Sequence, residues 1–326
     1  MYRCEIGRVP PGAILGASVF NEGGPPLVKA GVALTKGHLQ QVAARGYTRL
    51  VLLEPEEGLQ PETIPPETRA KTLAALTEAV AFLLDLWRCR RSPTPGEGRR
   101  RDFHLRNAVE AFIREATDQA AITLPGPVRR GPAQWFDDAI NAGAVAVYLG
   151  KQAQVDEASL HRLAWGMLLR DVAQLALSAE VLDHPGALSD EQWQLVRGHP
   201  TKAYDLLRTL DWGEETGRLV VLQHHERADG SGYPYALMGL HTVQRSRREA
   251  LDARITCSIS DVAAVTDVFN ALTVDRPYRP ARPVAQVTAL LREAAAVSLN
   301  NEVVELLLSR WQPPHEELPA SFAATG

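Results

Sequence analysis

The sequence predicts a mainly α-helical protein, a helical bundle preceded by a small N-terminal α/β module. Three observations carry this expectation. From Glu67 onward apolar residues recur at helical spacing with little alternation. Before Glu54, short apolar runs are separated by turn-forming clusters. Between them lies a Glu- and Pro-rich stretch, Glu54 to Pro66, that reads as a linker.

In the N-terminal part, Ile14 to Phe20 and Pro26 to Ala30 flank Asn21-Glu22-Gly23-Gly24, which predicts a hairpin. Thr35 can cap a helix over Leu39, Val42 and Ala43 that Gly46 ends, and Leu50 to Leu53 reads as another strand. Residues 1–54 are therefore expected to form a ββαβ module, followed by a linker and helical connector over 55–130. The connector has two amphipathic stripes. Leu73, Leu76, Val80, Leu83, Leu84 and Trp87 form the first; Leu105, Val109, Phe112, Ile113 and Ala116 form the second. These helices can pack on each other, on a partner subunit or on the C-terminal domain. The arginine-rich segment Arg91 to Arg101 reads as a solvated loop, with an anionic partner as the alternative. Residues 131–312 are expected to be all helical, and 313–326 a frayed tail.

Composition narrows the function classes. The 326 residues carry a net charge of −4, so no global basic field argues for DNA. Three scattered cysteines, Cys4, Cys89 and Cys257, read as reduced thiols. The first residues have no apolar signal core, and the longest clean apolar run, Ala142 to Leu149, is too short to span a bilayer. A soluble, cytoplasmic protein is expected.

Histidines and carboxylates in the second half supply the chemistry. His199 sits in Gly198-His199-Pro200, and His224 and His225 are adjacent; Asp171, Asp261 and Asp267 lie in the same half. Imidazoles and carboxylates converging from different helices suit a divalent transition metal such as Fe or Mn.

The full run His224-His225-Glu226-Arg227-Ala228-Asp229-Gly230-Ser231-Gly232-Tyr233-Pro234 is far more specific. It resembles the HHExxDGxGYP signature of the HD-GYP family, metal-dependent phosphodiesterases for the bacterial second messenger cyclic di-GMP. Asp267-Val-Phe-Asn-Ala-Leu-Thr-Val-Asp-Arg-Pro-Tyr-Arg279 is similar to that family's DVFDALTxDRPYR, and Leu168-Leu-Arg-Asp-Val-Ala-Gln174 stands where it has LLHDIGK. The resemblance also takes in Glu180 to Leu188, Gly198-His199-Pro200 and parts of residues 10–55. It implies an HD-type helical bundle with Asp171, His199, His224, His225 and Asp267 as metal ligands. Asp171 and the residue at Gln174 would be catalytic; Gly232, Tyr233, Pro234, Arg276 and Arg279 would contact the nucleotide. Asp261 is the alternative to Asp267.

Three departures stand out. The first ligand histidine of the family corresponds to Asp138, the histidine of the HD pair to Arg170, and the lysine that follows to Gln174. Arginine has no lone pair to donate and stays protonated, so Arg170 cannot coordinate a metal. Its fork can pair with Asp138, Asp171 or Asp267 inside the pocket. Alternatively it swings to solvent and the remaining ligands hold one ion. The resemblance thus implies a signalling protein that binds cyclic di-GMP, a related dinucleotide or a protein partner, with hydrolysis weak or absent. The alternatives are an active phosphodiesterase rebuilt around Asp138, and a pure interaction module.

Overall fold

The computed structural model describes residues 1–21, 24–53, 64–115, 122, 128–129, 132–182, 184, 186–238, 258–275 and 281–313. The N-terminal part contains β1 (Tyr2–Glu5), β2 (Val19–Phe20), β3 (Pro26–Val28), α1 (Lys36–Ala44) and β4 (Tyr47–Leu52). The hairpin is shorter than expected: Ile14 and Leu15 make only isolated bridges to Ala33 and Leu52. Two strands were not anticipated. β1 runs antiparallel to β4, with Tyr2 opposite Leu52. β5 (Val128–Arg129) returns from far along the chain to the other edge of β4. α1 starts where expected, with Thr35 Oγ1 accepting the His38 backbone N–H. Tyr2, Leu15, Val42, Leu50 and Leu52 are fully buried and form this part's own core.

The connector helices α2 (Pro66–Arg88) and α3 (Arg99–Glu115) pack on each other and on later helices. Leu76, Leu83, Leu105 and Phe112 share one apolar core with Ile140, Leu168 and Val221, so α2 and α3 belong to the helical body. The arginine-rich loop is docked rather than free. Arg91 pairs with Glu97, and the Glu97 carbonyl accepts the Trp212 indole N–H at 2.8 Å.

The body then comprises α4 (Pro132–Gln152), α5 (Glu157–Leu169), α6 (Ala179–Leu182), α7 (Asp190–Arg197), α8 (His199–Leu210), α9 (Glu215–Gln223), α10 (Ile259–Thr273), α11 (Val284–Ala295) and α12 (Asn301–Arg310). The apolar run Ala142 to Leu149 lies in α4, which is buried on every side from Asp137 to Gly150. α5 and α10 pack against it, and α9 packs on α5. Gly166 permits that last approach: a Cβ there would lie 2.6 Å from Val220 Cβ and 2.7 Å from the Gly217 carbonyl. Caps set the other helix starts. Ser189 accepts the Gln192 N–H on α7, and Pro200 occupies the first turn of α8. Among the described residues no helix is long and apolar enough to cross a membrane. Of the expected tail, residues 313–326, all but the first lie outside the described residues.

Candidate metal and nucleotide site

Four structural elements end or begin at one pocket, and a fifth, α10, faces it from mid-helix. Arg170 and Asp171 terminate α5, and Gln174 follows in a short 3-10 turn, Val172–Ala176. His199 opens α8, His224 caps the end of α9 with His225 next, and Asp267 faces in from α10. Trp135 of α4 fixes the α5 end by donating its indole N–H to the Asp171 carbonyl at 3.1 Å.

Asp171, His199, His224 and His225 form one cluster, with a ligand atom of each within 4.8 Å of every other. The tautomers follow from the backbone. His199 Nδ1 lies 2.6 Å from the Val196 carbonyl and His224 Nδ1 lies 2.9 Å from the Val221 carbonyl, so both Nδ1 atoms donate. The Nε2 lone pairs then point inward, 3.4 Å apart, and lie 3.1 and 3.5 Å from Asp171 Oδ1. Acceptors converging in this way call for a cation, and the donor set suits a divalent transition metal. Burial pushes the His225 imidazole down to about 4, with His224 adding to the shift, so at neutral pH it offers a lone pair.

Asp267 stands beside this quartet. One oxygen meets His225 Nδ1 at 3.1 Å and the other meets Arg170 Nε at 3.3 Å. Asp261, the alternative, is committed elsewhere: its carboxylate accepts the Ser258 N–H at 2.7 Å in a reciprocal capping box. Arg170 is 2% exposed. Its Nε also lies 3.2 Å from Asp171 Oδ2, and its Nη1 donates to the Met167 carbonyl at 2.9 Å. Gln174 donates its amide to Asp171 Oδ1 at 2.6 Å and lies 3.4 Å from His199 Nε2.

The carboxyls respond to these neighbours. Burial works against ionisation of Asp171, but the Arg170 charge and the imidazoles of His199 and His224 outweigh it and hold the group well below the usual range. Burial likewise opposes ionisation of Asp267, and His225, His224 and Arg170 together pull it strongly down.

The loop after His225 forms the rim. Glu226 is fully buried, and its oxygens accept the Tyr235 and Leu237 N–H groups at 2.7 and 2.9 Å. Gly232 is required by space: a Cβ would lie 2.5 Å from the His225 carbonyl. That closeness holds Tyr233, whose ring lies 4.5 Å from the His225 ring and under the Arg197 guanidinium at 5.4 Å. Burial raises the Tyr233 phenol above its ordinary value, with Asp267 and Asp171 adding to the effect. Pro234 follows on the same rim. Asp138 is buried on α4, next to Asp137, which Arg69 holds at 3.0 Å. Arg276 and Arg279 lie outside the described residues. Glu226 and Arg197 were missed as site-shaping residues, although Glu226 lies inside the run from His224 to Pro234 and Arg197 adjoins Gly198-His199-Pro200.

Residues 112–242 match the family model described as HD domain. Over 220 residues the chain is 33% identical to the cyclic di-GMP phosphodiesterase response regulator RpfG of Xanthomonas campestris, covering 67% of this chain and 53% of that protein. It is 29% identical over 187 residues to 3'3'-cGAMP-specific phosphodiesterase 3 of Vibrio cholerae, covering 56% of this chain and 37% of that one. The chain thus spans about half or less of the length of these relatives. A solved structure of Bd1817, an HD-GYP-type protein from Bdellovibrio bacteriovorus, shares the fold. The TM-score is 0.54 at 10% identity, over 94% of this chain and 97% of that one.

Proposed function

Because this chain belongs to the HD-GYP family, we propose that it is a cyclic dinucleotide signalling protein whose pocket binds cyclic di-GMP or a related dinucleotide with weak or absent hydrolysis. The observation that carries this reading is Arg170, buried and paired with both Asp171 and Asp267. A divalent ion in such a pocket polarises a phosphodiester and lowers the pKa of water. Asp171, His199, His224 and His225 fit one such ion. The Arg170–Asp267 end does not fit a second. At about 4 Å and an effective dielectric near 20, a guanidinium and a divalent ion repel by about 8 kcal/mol.

The remaining residues favour holding a ligand over cleaving it. Arg170 offsets the charges of Asp171 and Asp267, which lowers the repulsion that a phosphate meets in the pocket. Gln174 supplies a hydrogen bond but no charge, which removes about 3 kcal/mol of transition-state stabilisation relative to a cationic donor. Gly232, Tyr233 and Pro234 form the wall beside His225, and the family resemblance implies Arg276 and Arg279 as further phosphate contacts. Asp267 orients His225 through Nδ1.

A second reading, a working phosphodiesterase with a rebuilt metal site, is favoured by the intact quartet. Two measurements on the full chain divide these readings. Calorimetric titration with cyclic di-GMP is expected to show saturable binding. Steady-state hydrolysis with added manganese or iron is expected to run at least about a thousandfold below the Xanthomonas relative. Comparable turnover would establish the second reading. Absence of any dinucleotide binding would leave a protein-interaction module.

A further inference from the structure

Resting on the dinucleotide reading above, we propose that the exposed face of α7 is a subsite for one purine base of the ligand and that it selects guanine. Asp190, Trp193, Gln194 and Arg197 line an open groove of about 390 Å³, within the size range of small-ligand sites. They fall at i, i+3, i+4 and i+7, one face of the helix. Trp193 is 47% exposed, an unusual place for an indole. Among the described residues none of the four side chains makes a hydrogen bond, so their donors and acceptors are open to a ligand.

Arg197 joins the groove to the pocket through Tyr233. The Val196 carbonyl, on the same helix, fixes the His199 imidazole at 2.6 Å. The Arg197 guanidinium lies 5.4 Å from the Tyr233 ring, which lies 4.5 Å from the His225 ring. A dinucleotide with a phosphate at the quartet would therefore reach α7 with a base.

The groups there match a guanine. Trp193 offers a flat face for stacking, which any base accepts. Arg197 can donate two hydrogen bonds to the O6/N7 edge of guanine, where adenine places an amino donor instead. Asp190 can accept from the guanine N1–H and 2-amino groups; adenine has an acceptor at N1. Asp190 and Arg197 are two turns apart, about 10 Å along the axis. That span suits a purine held from two edges by hydrogen bonds of about 2.9 Å.

The test is calorimetric titration of the full chain and of Trp193→Ala, Trp193→Phe and Arg197→Met with cyclic di-GMP, 3'3'-cGAMP and cyclic di-AMP. The wild type is expected to prefer the two guanine-containing ligands by at least tenfold. Trp193→Ala should weaken all three by tenfold or more, and Trp193→Phe should restore most of the affinity. Arg197→Met should weaken the guanine-containing ligands and abolish the preference over cyclic di-AMP. These positions are on the surface, so thermal unfolding should be unchanged. Wild-type binding that survives in every variant within twofold would overturn the subsite while leaving the dinucleotide reading intact. An Arg197→Met variant that weakens all three ligands equally would overturn guanine selection. A wild type that binds none of the three would overturn both readings.

Discussion

At one end of the pocket, Asp171 Oδ1 faces the inward Nε2 atoms of His199 and His224; at the other, Asp267 faces the Arg170 guanidinium at 3.3 Å. Both ends bring buried acceptors together, and both need a positive charge. At the Asp267 end the chain supplies that charge itself, from a side chain that cannot leave or lose its proton. At the histidine end Arg170 reaches Asp171 only through Oδ2, at 3.2 Å, and Oδ1 converges with the two Nε2 atoms without a cation among the described residues. The pocket thus presents two separable demands for positive charge, and Arg170 answers one of them while leaving the other.

The largest effect expected from this contrast is on stability. Arg170→Ala leaves the buried Asp267 and the half-buried Asp171 without their cation. It should destabilise the fold by about 3–5 kcal/mol in chemical denaturation. A loss under about 1 kcal/mol would mean that the pair is solvated and that the two ends are alike.

The difference was only partly legible in the sequence. The run from His224 to Pro234 marked its loop because the bonds by which Glu226 shapes it are local, to N–H groups within eleven residues. The partner of Arg170 was a matter of tertiary structure: Asp267 is 97 residues away, and sequence left three carboxylates as candidates. Asp261 carried a signal that could have removed it from consideration, since Ser258-Ile-Ser-Asp261 has the spacing of a capping box. In the N-terminal part, the helix after Thr35 was readable from its cap. β1 and β5, at four and two residues, are too short for periodicity to reveal and exist because β4 pairs with both.

A smaller effect sharpens the comparison from outside the pocket. Asp102 is also buried, but its charged neighbour Arg106, at 3.1 Å, is half exposed. Burial therefore dominates and raises the Asp102 carboxyl, against Arg106 and the N–H groups of Gly213 and Trp165. The two carboxyls should act on stability in opposite senses. Asp267, held low, contributes stability that is present above about pH 4 and lost as pH falls below it. Asp102, held high, contributes stability that is complete below about pH 4 and lost as pH rises through its folded value. Denaturation curves from pH 4 to 7 should accordingly show wild type losing ground relative to Asp102→Asn as pH rises. Parallel curves would remove the distinction between a buried carboxyl with a buried cation and one without.

The most direct test of the two-ended pocket is the metal content of the full chain purified without chelator, measured by plasma mass spectrometry beside Arg170→His. The wild type is expected to hold no more than one ion per chain, at Asp171, His199, His224 and His225, and Arg170→His to hold more than wild type. Two ions per chain in the wild type would contradict the claim that Arg170 stands in place of a metal.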